Sequence, residues 1–287
     1  MKPLLETLKA GTGYLEKHGV DEARLNMEHL LAHVLQCRRL ELYLRFNEML
    51  DEECLAALRG LIKRRGEGEP LQHLLGTVEF CGHELICDHR ALVPRPETER
   101  LVELLGERLA AQPPLKVLDV GTGSGCIGLS LARMWTKPET EFTLVDVSED
   151  ALELARLNAS RLGLAGQSVR FIRSDLFEKV DGPFDLIVAN LPYIPSGEIA
   201  SLSMEVRRDP LNALDGGPDG LVIIARLLTE AGKRLSPGAW VALEIGHDQA
   251  ADVAALCAAA GFEQIEAVRD LAGIERFVFA RQSAASN

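Results

Sequence analysis

The feature that most restricts how this chain can fold lies at residues 116–128, Lys-Val-Leu-Asp-Val-Gly-Thr-Gly-Ser-Gly-Cys-Ile-Gly. An apolar strand runs straight into glycines at 121, 123 and 125, and helical spacing starts after them. Glycines there let the backbone turn tightly and approach a ligand where a side chain would clash. Further strand-like runs follow at 142–147, 169–172, 184–190 and 240–245. Between most of them lie helical stretches such as SEDALELARLNASRLG and DGLVIIARLLTEAGKRL. Strands alternating with helices predict βαβ units, hence an α/β fold with a doubly wound, mostly parallel sheet. The last two runs, around QIEAV and RFVFA, suit an antiparallel edge hairpin, and RQSAASN reads as a frayed tail.

Upstream the texture differs. The first 75 or so residues read as helices only. Met27, Leu30, Leu31, Val34 and Leu35 repeat at helical spacing, with Asp21 as an upstream cap. A second helix starts near Asp51, carries Leu55, Leu58, Leu61 and Ile62 on one face, and ends with Lys63-Arg64-Arg65 before Gly66 as its cap. Strand-like pieces around Gly82 predict a hairpin, and Pro96 suits the first turn of the helix that follows. A chain of 287 residues, 47% apolar, has room for one large or two modest domains with a sizeable core. Its net charge of -12, without a dense basic stripe, argues against stable nucleic-acid binding. No apolar run approaches the ~20 residues of a membrane span, and the start lacks the pattern of a secretory signal. Six cysteines without a C-x-x-C pair suit a reducing cytoplasm.

The strand ends carry the chemistry. Strand 142–147 contains Asp146, 21 positions after Gly125, where a carboxylate can accept hydrogen bonds from both hydroxyls of a ribose. Gly123-x-Gly125-x-x-Gly128 formally matches the dinucleotide fingerprint, in which a helix N-terminus receives a pyrophosphate. Asp119 just ahead of the turn favours S-adenosylmethionine instead, whose amino-acid end is cationic. The turn alone leaves both open, beside a merely structural one. Asp175 can accept from an adenine amino group while Leu176 or Phe177 packs on the ring, or Asp175 is an ordinary capping residue.

Asn190-Leu191-Pro192-Tyr193 ends the fourth strand over the same crevice. An amide or aromatic amine is a poor nucleophile because its lone pair is delocalised. An enzyme can accept both of its N–H bonds, here from the Asn190 side chain and the Leu191 carbonyl, and so stabilise the charge that develops on attack. Tyr193 can stack on the planar acceptor. No strong general base is required, since the amide proton becomes acidic only after attack and can leave to water.

Taken together, GEPLQHLLGTVEFCGHEL, LVPRPETERLV, LDVGTGSGCIGLSLA, NLPYI, DPLNALDGGPDGL and ALEIGHDQA make the chain resemble the peptide chain release factor glutamine methyltransferases, the HemK/PrmC family. The resemblance spans nearly the whole chain. It implies methyl transfer from S-adenosyl-L-methionine, leaving S-adenosyl-L-homocysteine, to the glutamine of the release factors' Gly-Gly-Gln loop. It implies a helical substrate-recognition domain over 1–75, a hairpin linker over 76–93, a Rossmann-like class I methyltransferase domain over 94–281 and a tail over 282–287. Gly121, Thr122, Gly123, Ser124, Gly125 and Asp146 would bind the cofactor, with Asp175 and Leu176 on the adenine side. Asn190, Leu191, Pro192 and Tyr193 would hold the acceptor and act in catalysis, Asn190 also facing the cofactor. The chain departs from the family at Leu191, where proline is usual, and at Asp209-Pro210, where Glu-Pro is commoner. Related chemistries are a ribosomal-protein glutamine methyltransferase and an adenine-N6 nucleic-acid methyltransferase, whose similar motif holds a flipped base. An NAD-dependent oxidoreductase is a more distant alternative.

Other groupings have simpler readings. Cys81-x-His83 and Cys87-x-His89 share strand parity, but a turn is needed to close a tetrahedral metal site, and a hairpin with partly buried small side chains accounts for them. His29 and His33 lack the glutamate of H-E-x-x-H. Cys126 sits at a helix start, where thiol acidity can rise, but no base is indicated nearby. Lys63-Arg64-Arg65 reads as a solvated helix end, or as a contact for a release factor or ribosomal RNA. Pro94-Arg95-Pro96-Glu97-Thr98 reads as a rigid helix entrance or a cleft lining, with no catalytic role for Arg95.

Overall fold

In the computed structural model, which describes residues 1–164 and 169–284, the chain divides into two units. The first comprises residues 1–77 with 202–208. It is helical apart from β1 (Lys2–Pro3), which pairs antiparallel with a two-residue strand after the second helix. Its elements are α1 (Leu4–Lys17), α2 (Ala23–Val34), β2 (Met49–Leu50), α3 (Glu52–Gly66) and α4 (Leu71–Leu75). Leu4, Leu8 and Leu15 of α1 meet Met27, Leu30 and Leu31 of α2 and Leu55 and Leu58 of α3 in one buried cluster.

Asp51 caps α3 as its position predicts, accepting from the Cys54 amide at 2.9 Å. The cap expected at Asp21 is different. Glu22 precedes α2 in a left-handed conformation without a side-chain cap, and Asn26 Nδ2 donates to the Asp21 carbonyl instead. Helix α3 also runs through Gly66 rather than stopping there. Arg65 corrects the reading of the basic run as a solvated end. It is 5% exposed, donating from Nε to Asn26 Oδ1 at 2.7 Å and from Nη2 to Glu205 at 2.6 Å.

The second unit holds Val78–Ser201 and the chain from Asp209 onward. The hairpin is β3 (Thr77–Phe80) and β4 (His83–Ile86), followed by α5 (Pro96–Arg108), which begins on its proline. Then come β5 (Lys116–Val120), α6 (Cys126–Met134), β6 (Glu141–Asp146), α7 (Glu149–Arg161), β7 (Val169–Arg173) and β8 (Phe184–Asn190). The chain closes with α8 (Val222–Ala231), β9 (Leu235–Glu244), α9 (Ala250–Ala259), β10 (Phe262–Arg269) and β11 (Glu275–Gln282). Strand β9 starts five residues before the predicted run, because Pro237 and Gly238 (φ +76°) sit within it and mask its pattern. Gln282, expected in the tail, closes β11, and residues 285–287 of that tail lie outside the described residues.

The sheet order is β10-β11-β9-β8-β5-β6-β7, parallel except for β11, so the final hairpin does form one edge. Strand parity builds two cores. Leu118, Ile187, Val241 and Val278 face Ile224 and Leu227 of α8 and Val253 of α9. Val117, Leu186, Val188, Ala242 and Phe277 face Leu101 and Leu105 of α5 and Ile127 of α6. The chain winds from β5 outward through β6 to β7, then returns to place β8 on the other side of β5. That reversal opens a crevice at the C-terminal ends of β5 and β8, where doubly wound sheets bind ligands.

Candidate active site

A cavity of about 720 Å³ occupies that crevice, and Gly121, Thr122, Gly123, Ser124, Asp146, Asp175, Leu176, Asn190, Leu191 and Pro192 all line it. The glycine turn is closed on itself. The Gly121 and Thr122 amides donate to the Val145 carbonyl, the Gly123 amide to Asp146 at 2.9 Å, and the Gly128 amide to Asp119 at 2.9 Å. Amides engaged in this way are not free to receive a pyrophosphate, which weighs against the dinucleotide alternative. The three arginines lining the cavity are likewise occupied, Arg90 by Asp88, Arg95 by Asp209 and Arg226 by Asp175.

Two residues of the turn behave differently from expectation. Asp119 shares the parity of Val117, so it lies beneath the start of α6 and outside the cavity lining. There its Oδ2 accepts from Thr122 Oγ1 at 2.6 Å, and burial pushes its pKa up to about 6 against the pull of Thr122 and the Gly128 amide. Its carboxylate braces the turn and reaches the cavity only through its field. Gly125 also lies outside the lining. Its φ is +83°, and a Cβ there would stand 2.7 Å from Leu129 Cδ1. Gly125→Ala is therefore expected to lower stability by about 1–3 kcal/mol, read as a drop in melting temperature without ligand.

Asp146 is the best-placed of the acidic residues. It is buried, with Oδ1 accepting from the Ser148 amide and Oδ2 from Gly123, both at 2.9 Å. Burial raises its pKa in spite of those bonds. Leu176 takes a left-handed φ of +47° and is held against the cavity, while Phe177 is in the core. Asn158 on α7, which nothing in the sequence singled out, is fully buried and ties the cavity wall together. Its Oδ1 accepts from the Ile86 amide at 2.6 Å, and its Nδ2 donates to the Ser124 carbonyl at 2.9 Å.

Asn190, also in the lining, ends β8 and faces the start of α5. Its Nδ2 donates to Thr98 Oγ1 at 3.3 Å. Leu191 is buried, with its Cδ2 2.8 Å from where a Cβ on Gly121 would be, so glycine there lets the two loops touch. Tyr193 is not among the lining residues. It packs against the core, and burial pushes its hydroxyl up to about 12. The loop is zipped to the Leu214–Gly217 segment, with the Ile194 amide donating to Leu214 and the Gly216 amide to Ile194. Gln249, 6% exposed, fastens it from the other side: Nε2 donates to the Tyr193 carbonyl and Oε1 accepts from the Gly246 amide, both at 2.9 Å. Gln249→Ala leaves both groups without partners, at about 1–3 kcal/mol. It is expected to lower the melting temperature, read by thermal unfolding without ligand.

Pro94 and Arg95 line the cavity, so the helix entrance is also a wall of the cleft, with Asp209 accepting from Arg95 Nη2 at 2.7 Å and from the Val93 amide. Glu244 was legible only as part of ALEIGHDQA. It lies in register with Asn190 and is 2% exposed, and burial pushes it up to about 7, partly offset by Thr98, Arg276 and Asn190. Burial also pushes the Cys126 thiol up, opposite to the acidity a helix start could confer. Cys81 and Cys87 are raised to about 12 by burial. Among the described residues no cluster of three or more His, Cys, Asp or Glu is placed to hold a metal ion, and no helix is long and apolar enough to cross a membrane.

A mostly parallel sheet, a glycine turn, a buried carboxylate ending the next strand and an Asn-x-Pro-Tyr loop together define a class I methyltransferase. Residues 6–76 match the family model described as PrmC N-terminal domain, and residues 96–231 match methyltransferase small domain. A release factor glutamine methyltransferase of Geobacter sulfurreducens is 42% identical over 272 residues, 94% of this chain and 93% of that protein. Another, of Deinococcus radiodurans, is 42% identical over 280 residues, 98% of this chain and 99% of that protein. A methyltransferase structure from Pyrococcus furiosus superposes with a TM-score of 0.52 at 20% identity, covering 71% of this chain and 90% of that one, and shares the fold. The chain belongs to the release factor glutamine methyltransferase family.

Proposed function

We propose that this enzyme transfers a methyl group from S-adenosylmethionine to the side-chain nitrogen of the glutamine in the Gly-Gly-Gln loop of peptide chain release factors. The observation that carries the reading is that Asn190 lines the same cavity as Asp146 and the glycine turn. The residues present suit that methyl donor. Asp146 offers buried carboxylate oxygens to ribose hydroxyls, Leu176 an apolar face to adenine, and Asp119 and Asp146 a negative field to a cationic amino-acid end. When bound, S-adenosylmethionine supplies an electrophilic methyl on a positively charged sulfur.

The chain's own work is on the acceptor. Asn190 Oδ1 and the Leu191 carbonyl accept the two N–H bonds of the glutamine amide, stabilising the positive charge that grows on nitrogen as its lone pair localises. Leucine in place of proline keeps that carbonyl, so the departure from the family leaves the acceptor pair intact. The walls fix the amide in one orientation, and effective molarity from such positioning is worth up to ~7–11 kcal/mol. The proton lost from nitrogen leaves to water. Labelling of purified release factors with tritiated methyl donor tests the reading. It predicts incorporation that disappears when the Gly-Gly-Gln glutamine is replaced by alanine. Unchanged labelling of that variant, or labelling of ribosomal protein in its place, contradicts it.

A further inference from the structure

Beside Asn190 lies a carboxylate that the chemistry above does not use. Glu244 ends β9 in register with the last residue of β8, and strand parity turns both toward the face covered by α5. Glu244 Oε2 is buried without a hydrogen-bond partner among the described residues. A buried carboxylate oxygen left in that state is costly, which marks the position as serving something other than stability. Thr98 and Asn190 are the polar side chains close enough to favour its charged form.

The Asn190 carboxamide has two ends, and only one is useful. Oδ1 must face the acceptor, because a reversed amide would present N–H groups to N–H groups. Thr98 cannot enforce that choice, since a hydroxyl donates to Oδ1 as readily as it accepts from Nδ2. An ionised carboxylate can only accept. We infer that Glu244 is a positioning residue for the acceptor site, holding Asn190 with Nδ2 inward and Oδ1 toward the substrate amide. The inference rests on the proposed methyl transfer to glutamine and names what orients its acceptor.

The groups facing Glu244 are Thr98 and Glu97 on α5, Cys126 on α6, Asn190 at the end of β8, Tyr193 in the loop after it, and Arg276 on β11. Protonation makes Glu244 a donor as well and removes the discrimination, so turnover falls as pH drops through about 7. Glu244→Gln imitates the protonated form at every pH. Its kcat on a release factor is expected to be about 10–100-fold below wild type at pH 8.5, with the gap closing toward pH 6. Calorimetric affinity for S-adenosylmethionine should stay within about twofold.

Stability supplies a readout independent of turnover. The pKa is higher folded than unfolded, 4.5 rising to about 7, so the charge destabilises the fold increasingly across that window and fully above it. Glu244→Gln is therefore expected to melt above wild type at pH 8. Wild-type kcat in the variant at pH 8.5, a gap that ignores pH, a parallel loss of cofactor affinity, or a lower melting temperature at pH 8 each overturns the inference. If the wild-type enzyme labels no release factor, the proposed function fails instead, and the melting comparison still tests Glu244.

Discussion

Asn190→Ala is expected to lower kcat on release factor by about 10²–10³-fold, the loss seen when one preorganised partner of a developing charge is removed. Affinity for S-adenosylmethionine should change far less, because the substitution leaves in place the glycine turn and Asp146, the groups proposed to hold it. The substitution removes the Oδ1 acceptor and leaves the Leu191 carbonyl to hold a single N–H. It also removes the donor to Thr98 Oγ1, a long bond at 3.3 Å whose loss costs little stability. Single-turnover rates and calorimetry on the same preparation separate the two effects. Equal losses in rate and cofactor affinity would place Asn190 in cofactor binding alone.

Asp146→Ala carries the second large effect, in the opposite column. The carboxylate holds the Gly123 and Ser148 amides, so alanine loosens the turn as well as removing the acceptor proposed for the ribose. Hydrogen bonds to a charged group contribute about 1.5–3 kcal/mol each, and losing one or two of them weakens S-adenosylmethionine binding by about 10–10⁴-fold. At saturating cofactor, kcat should recover most of its value, because the acceptor loop is pinned independently by Gln249 and the Leu214–Gly217 segment. A kcat that stays low at saturation would mean the turn also orients the reacting methyl.

Much of this was legible because the strands alternate visibly. Parity along 184–190 and 116–120 fixes which side chains enter which core, and the glycines and Asn-x-Pro-Tyr mark the crevice. The same parity, applied to Asp119, would have put it under α6 beside Val117 rather than at the ligand. What stayed hidden are contacts between residues far apart in sequence: Thr98 with Asn190, Asn158 with Ser124, Gln249 with Tyr193, Arg95 with Asp209. Each joins polar side chains with no periodicity to betray them. Arg65 misled for a related reason, since a basic run at a helix end usually points to solvent, and only the fold brings Asn26 and Glu205 to it.

The central claim is that Asn190 and Leu191 together receive the two N–H bonds of a glutamine carboxamide. A crystal structure of the enzyme with S-adenosylhomocysteine and a Gly-Gly-Gln peptide addresses it most directly. The account predicts the glutamine nitrogen within hydrogen-bonding distance of both Asn190 Oδ1 and the Leu191 carbonyl, facing the sulfur. A glutamine nitrogen bonded elsewhere, with the Asn190 side chain turned away from it, would contradict the account.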